Sequence, residues 1–247
     1  MNDRSTFHVI SLDPEGARYR AFATHNAHLG PIAVFRAIRG ADIPTTERIA
    51  SRLMTPELVA SGTVTEGTVG CAASHRALWR GIAASGRGAV IMEDDVYTHP
   101  RLHDYVAANH DALNAVDIVL FGVNTNSILA SISPQGVVSR SLLGPKHPDA
   151  GWIAKAFAAT KLSDVRPHRL LNAFGLCCYW ISATGAAKLL ELCYPLTLEP
   201  VEIPIMPDKL PGSAIDSRLN AFFSTVAAYV TLPFLAFTPN NDSSTSV

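Results

Sequence analysis

One join in this chain limits its fold more than any other feature: the apolar run Ala89-Val90-Ile91-Met92 passes without a break into Glu93, Asp94 and Asp95. Apolar residues that do not alternate with polar ones predict a strand covered on both faces, and such strands lie centrally in largely parallel sheets. Ligands of open α/β sheets bind outside the carboxyl ends of the strands, where the three acids would fall. If the chain stays extended, Glu93 and Asp95 project to one side and Asp94 to the other. Two carboxylates on one side repel each other, and a divalent cation is the simplest relief. Oxygen ligands suit Mg²⁺ or Mn²⁺ over zinc, and such ions are commonly completed by substrate phosphates. The expectation is a metal and phosphate site, with a solvated turn as the plain alternative.

The rest of the chain agrees with an α/β class. Residues 7–12 predict a strand, 13–30 a helix closed by Gly30-Pro31, and 32–38 a second strand, which makes a β-α-β unit with a right-handed crossover. A helix is expected near Thr45 to Leu53. Residues 68–86 predict a helix with Val69, Ala72, Leu78, Trp79 and Ile82 on its apolar side and Gly86 as its stop. A helix over 99–113, a buried strand over 117–122, a strand over 175–182 and a helix over 183–193 follow. Between them, residues 124–172 read as irregular, with Pro, Gly and scattered basic side chains, and predict a variable excursion covering a substrate. One domain over 1–239 and a flexible polar tail over 240–247 are expected.

Composition excludes several function classes. Charged residues are 17% and the formal net charge is −1, so no global field draws nucleic acid or an anionic membrane. Cys71, Cys177, Cys178 and Cys193 include no C-x-x-C pair and two are adjacent, which suits neither a disulfide framework nor a zinc knuckle and fits a reducing cytoplasm. The N-terminal residues have no basic stretch followed by an apolar core, so no secretory signal is expected. Residues 219–237 are nearly long enough to span a bilayer, yet Asn220, Ser224, Thr225, Thr231 and Pro233 predict a buried helix and then a strand. Peripheral membrane attachment stays open. His99 and His103, four apart beside the acids, could chelate a transition metal. A metal-dependent hydrolase is therefore a rival reading, although no H-E-x-x-H is present.

The stretch GTVGCAASHRALWRGIAASGRGAVIMEDDV resembles the signature of glycosyltransferase family 25, the lipopolysaccharide-type and collagen-type galactosyl and glucosyl transferases. The residues that carry the likeness are Gly67, Gly70, Cys71, Ser74, His75, Trp79 and Glu93 to Val96. ISLDPEGAR resembles the family's opening strand with its Asp13 and Arg18, although Ser11 and Pro14 stand where Asn and Arg are more usual. RAIRGADI, DIVLFG, YWISATGAAKLL and AIDSRLNAFF resemble later segments, the last with Ala214-Ile215-Asp216 in place of Pro-Val-Asp. Nothing in 124–172 matches.

This resemblance implies a single GT-A type domain, an inverting transfer of galactose or glucose from UDP-galactose or UDP-glucose, and Mn²⁺ (or Mg²⁺) held against the donor diphosphate by Glu93 and Asp95. It implies donor contacts from Asp13, Arg18, Ser74, His75 and Asp94. The acceptor would be a glycan or lipid-linked glycan such as a lipopolysaccharide, at the cytoplasmic side of the membrane. An inverting reaction needs a general base outside the metal cluster. Asp216 is the candidate, on the resemblance and its place before an apolar helix; a helix N-cap is the other reading, and Glu199, Glu202 and Asp208 stand as unranked alternatives. A non-catalytic carbohydrate-binding relative is a third reading.

Overall fold

The expected β-α-β opening is formed by β1 (Phe7–Ser11), α1 (Ala17–His25) and β2 (Ala33–Arg36), with β2 parallel to β1. The structure, a computed structural model, describes residues 7–144, 146–203 and 209–239. The expected tail over 240–247 and Asp208 lie outside these residues. Three helices follow, α2 (Thr45–Ala50), α3 (Pro56–Ser61) and the long α4 (Glu66–Ser85), which lead into β3 (Ala89–Glu93). Thr65 caps α4 through its hydroxyl, and Gly86 closes it in a left-handed conformation at φ 69°. Beyond β3 come β4 (Tyr97–Thr98), α5 (Leu102–Ala108) and α6 (His110–Asn114); the one helix expected over 99–113 is broken at Asn109.

The chain continues through β5 (Ile118–Gly122), β6 (Ile128–Ile132), β7 (Val138–Leu142), α7 (Ala150–Ala159), β8 (Arg166–Asn172) and β9 (Cys178–Ile181). It then forms α8 (Ala183–Cys193), a small ribbon of β10 (Pro200–Val201) and β11 (Leu210–Pro211), α9 (Ile215–Asn220), β12 (Ala228–Leu232) and β13 (Ala236–Phe237).

The main sheet has nine strands in the order β2-β1-β3-β9-β5-β12-β8-β6-β7. Most of its strands run in one direction. β9, β8 and β7 are reversed against their neighbours. Helices cover both faces. Val69, Ala72 and Trp79 of α4 and Leu189 of α8 pack on Ile91, Leu120 and Ile181 on one side. Phe22 of α1, Leu102 of α5 and Leu113 of α6 pack on Val9, Val90 and Phe121 on the other. The unalternating apolar run of β3 is thereby covered on both faces, as its sequence requires.

Two expectations need correction. Residues 124–172 are not an irregular excursion: β6 and β8 extend the main sheet, β7 edges it, and Ile153 and Phe157 of α7 pack on Phe237 of β13. Every residue of β7 is exposed, and β8 begins Arg-Pro-His-Arg, so neither presents the apolar pattern that marks a strand. Within 219–237 the helix ends at Asn220 and turns lead to β12. Among the described residues no helix is long and apolar enough to cross a membrane.

Candidate active site at the ends of β1, β3 and β9

From β1 the chain leaves to one side, toward β2, and from β3 it leaves to the other, so a crevice opens between their carboxyl ends, the place where open α/β sheets bind ligands. Ser11 ends β1 and Glu93 ends β3. The Glu93 N–H donates to Cys177 O at 2.9 Å, which ties the acid-bearing end to the chain entering β9. The three acids do not stay extended. Val96 N–H donates to Glu93 O at 3.3 Å and closes a turn, which brings Asp94 and Asp95 together under one cation. Arg18 of α1 places Nε 2.6 Å from Asp94 Oδ1 and its terminal nitrogen 3.2 Å from Asp95 Oδ2. The Ser11 hydroxyl donates to the other Asp94 oxygen at 2.5 Å. Asp13 is exposed, and its carboxylate accepts the Glu15 N–H at 3.2 Å, shaping its own turn.

Asp95 is the strained member electrostatically. Burial pushes its carboxyl up to about 6, and repulsion from Glu93 adds to this, against the opposing pull of Arg18 and the Thr238 hydroxyl. Its Oδ1 is buried with no hydrogen-bond partner. A buried carboxylate oxygen left bare, beside a second carboxylate whose side chain is 35% exposed, is an environment that a hard divalent cation with oxygen ligands fits.

Behind Glu93, α4 supplies a polar chain inside the core. Trp79 Nε1 donates to the Tyr179 hydroxyl at 2.8 Å, and that hydroxyl lies 2.7 Å from His75 Nδ1. His75 Nε2 in turn lies 3.9 Å from Glu93 Oε1. His75 is thus buried against Glu93 as an inner neighbour of the acid cluster. One turn earlier on the same helix face, Cys71 is exposed. The surrounding protein, then Glu93 and Asp216, drive its thiol well above its usual range. Among the described residues, Cys71, His75 and Glu93 bring one potential ligand atom each within 4.8 Å of one another.

Ser74 is placed otherwise than a donor contact requires. It is fully buried; its hydroxyl donates to Gly70 O at 2.7 Å and accepts the Ile38 N–H at 2.9 Å. A Cβ on Gly70 would come within 2.5 Å of Ile38 O, so this glycine lets residues 38–40 seat on α4. Part of the Gly-Cys-x-x-Ser-His pattern is therefore packing.

Asp216 lies in the first turn of α9, and the N-cap of that helix is Ala214. Its carboxylate accepts Ser217 N–H at 2.8 Å and Gly175 N–H at 3.4 Å. Burial raises it above the ordinary carboxyl range, and Glu93 raises it further. Gly175 holds φ 86°, and a Cβ there would lie 2.4 Å from Asn124 Oδ1, so only glycine presents its N–H in this way. Glu199 is exposed, and Glu202 pairs with Lys209 at 2.8 Å. His99 does not join the acids: its Nδ1 accepts Arg101 N–H at 3.1 Å and its Nε2 lies 3.2 Å from Thr160 O. His103 stacks on Phe7. His99 precedes α5 while His103 lies within it, exposed, so the two do not share the helix face that the hydrolase reading needs.

The model of glycosyltransferase family 25 (LPS biosynthesis protein) matches residues 4–131. That span takes in Arg18, α4 and the acid turn and stops inside β6, before Tyr179 and Asp216. A comparison with curated proteins finds no match. A solved structure titled "Crystal Structure of A197 from STIV" is similar at a TM-score of 0.38 and 10% identity, over 95% of this chain and 93% of that one. A likeness of that size bears on neither fold nor activity. The family model covers more than half of the 247 residues, including the strand end where the acids gather, and the chain belongs to glycosyltransferase family 25.

Proposed function

We propose that this glycosyltransferase has a GT-A type fold and moves galactose or glucose from a UDP-sugar to a glycan acceptor, such as a lipopolysaccharide or lipid-linked glycan, with inversion at the anomeric carbon. The observation that carries the reading is the bare, buried Oδ1 of Asp95 beside Glu93 at the end of a central strand. Glu93 and Asp95 would hold Mn²⁺ or Mg²⁺. When bound, the ion offsets the negative charge that a departing nucleoside diphosphate gathers as the glycosidic bond breaks.

The protein's own groups do the rest. Arg18 neutralises Asp94 and Asp95 and leaves its exposed edge toward the crevice, where a nucleotide would lie. Asp216 accepts the proton of the acceptor hydroxyl while that oxygen bonds to the anomeric carbon and the bond to the diphosphate breaks. A carboxylate raised above its ordinary range is better matched to this task near neutral pH. The two N–H groups on its oxygens fix its orientation. We place the enzyme in the cytoplasm, peripheral to the inner face of the membrane.

The test is a panel of sugar nucleotides, with UDP release read in the presence and absence of Mn²⁺. Release from UDP-galactose or UDP-glucose that depends on the ion supports the reading. Turnover of only GDP- or CMP-sugars, or none, overturns it.

A further inference from the structure

The acid turn is one half of Glu93's surroundings. The other half is soft. Cys71 and His75 are four residues apart on one face of α4, a spacing that lets two side chains grip one ion. Their ligand atoms and that of Glu93 lie within 4.8 Å of one another, and the closest approach of His75 Nε2 to Glu93 Oε1 is 3.9 Å. Zinc bonds of roughly 2.0 Å to nitrogen and oxygen and about 2.3 Å to sulfur put neighbouring ligands on a tetrahedron at similar separations after small adjustments.

The supporting shell is already present. A metal-bound imidazole characteristically donates its other ring N–H to a fixed acceptor. His75 Nδ1 faces the Tyr179 hydroxyl at 2.7 Å, and that oxygen is pinned by Trp79 Nε1 at 2.8 Å. An oxygen with two lone pairs can accept both donors. His75, Trp79 and Tyr179 are buried, so the ring is held in place without the ion. Cys71 is exposed, which leaves the fourth position open to the crevice.

We propose that Cys71, His75 and Glu93 form a binding site for a thiophilic divalent cation of the zinc class, separate from the all-oxygen pair of Glu93 and Asp95. On binding, the Cys71 thiol gives its proton to solvent as the sulfur–metal bond forms, and neutral His75 supplies its Nε2 lone pair while Nδ1 carries the proton toward Tyr179. Thiolate sets this site against manganese, which prefers oxygen. Glu93 belongs to both sites. Here the inference rests on the function proposed above: zinc would draw Glu93 away from the donor's cation, so zinc inhibits transfer in competition with Mn²⁺.

The experiment uses the full chain and Co²⁺ as a coloured stand-in for Zn²⁺. One equivalent should give tetrahedral cobalt bands with a thiolate-to-cobalt charge-transfer absorption, and Zn²⁺ should displace it. C71S and C71A should both lose the charge-transfer band. Tyr179→Phe should keep the band and bind Zn²⁺ about 10- to 100-fold more weakly, the size of a supporting-shell loss. A pale octahedral spectrum without the thiolate band overturns the site, as does a band that survives in C71S or C71A. The readout needs no sugar nucleotide. Failure of the UDP-hexose reading would leave the cobalt spectrum untouched, and failure of the zinc site would leave Mn²⁺-dependent UDP release untouched.

Discussion

Arg18 Nε and Asp94 Oδ1 are 2.6 Å apart, and this pair stitches the helix after β1 to the turn after β3 across the mouth of the crevice. The same guanidinium reaches Asp95 at 3.2 Å, so one cation faces two of the three acids and leaves Glu93 to its own repulsion with Asp95. That imbalance sets the behaviour of the metal-free protein.

Asp95 titrates in the fold near 6, above its ordinary 3.8. A folded pKa above the unfolded one means that the folded state holds the proton longer as pH rises. Stability is then full below the unfolded value and is lost as pH climbs through the folded one. The metal-free enzyme should therefore lose stability between roughly pH 4 and pH 6, by on the order of a few kcal/mol. Asp95→Asn should flatten that decline and raise the metal-free Tm at pH 7. Mn²⁺ should raise the wild-type Tm and leave the variant's nearly unchanged, while Mn²⁺-dependent UDP release falls by 100-fold or more. Thermal melts across pH, with and without the ion, check all of these outcomes.

Asp216→Asn should lower kcat by roughly 10²- to 10⁴-fold, with the donor KM nearly unchanged, as expected for a lost general base. Because burial and Glu93 raise the carboxyl, the wild-type rate should fall on the acid side at a higher pH than an ordinary carboxylate would give. That limb should vanish in the variant. A kcat profile against pH for both proteins decides it.

Ser74→Ala strands the Ile38 N–H and should cost about 1–3 kcal/mol in denaturant unfolding, with the donor KM unchanged. Gly70→Ala forces a Cβ against Ile38 O and should destabilise by a similar amount. A rise in donor KM for Ser74→Ala without a stability loss would show that its hydroxyl meets the nucleotide instead.

Trp152 is 52% exposed on α7, and its ring stands edge-on to Phe237 at 5.2 Å, one residue before Thr238 of the Asp95 environment. An exposed ring in that position suits stacking against a sugar. Trp152→Ala should raise the acceptor KM severalfold and spare the donor KM, measured with both substrates varied. Arg166 and Arg169 should contribute little to acceptor binding, since each donates to backbone carbonyls.

What the sequence made legible follows a physical line. The uninterrupted apolar run of β3, the capped helix ending at Gly86 and the strand-helix pair β9-α8 announce themselves through local pattern. β7 and β8 did not, because an exposed edge strand and a strand opening Arg-Pro carry no such pattern. Within the site, Glu93, Asp95 and Arg18 could be picked out as residue types at strand and helix ends. The Tyr179 hydroxyl could not, since its partners Trp79 and His75 are 100 and 104 positions away. Nor could the turn at Glu93–Val96, which reverses the alternation expected of an extended triplet.

The place of β9 has a consequence for synthesis on the ribosome. β9 is hydrogen-bonded on both sides, to β3 and to β5, although it leaves the ribosome long after either. Until it does, the nascent chain holds two apolar strands with unpaired edges facing an empty slot, the kind of surface on which partly made chains associate wrongly. Tyr179 arrives in that same strand and Asp216 later still. Truncated chains that end before β9 should accordingly be both inactive and prone to aggregate, and the strand that joins β3 to β5 also supplies the wall behind Glu93.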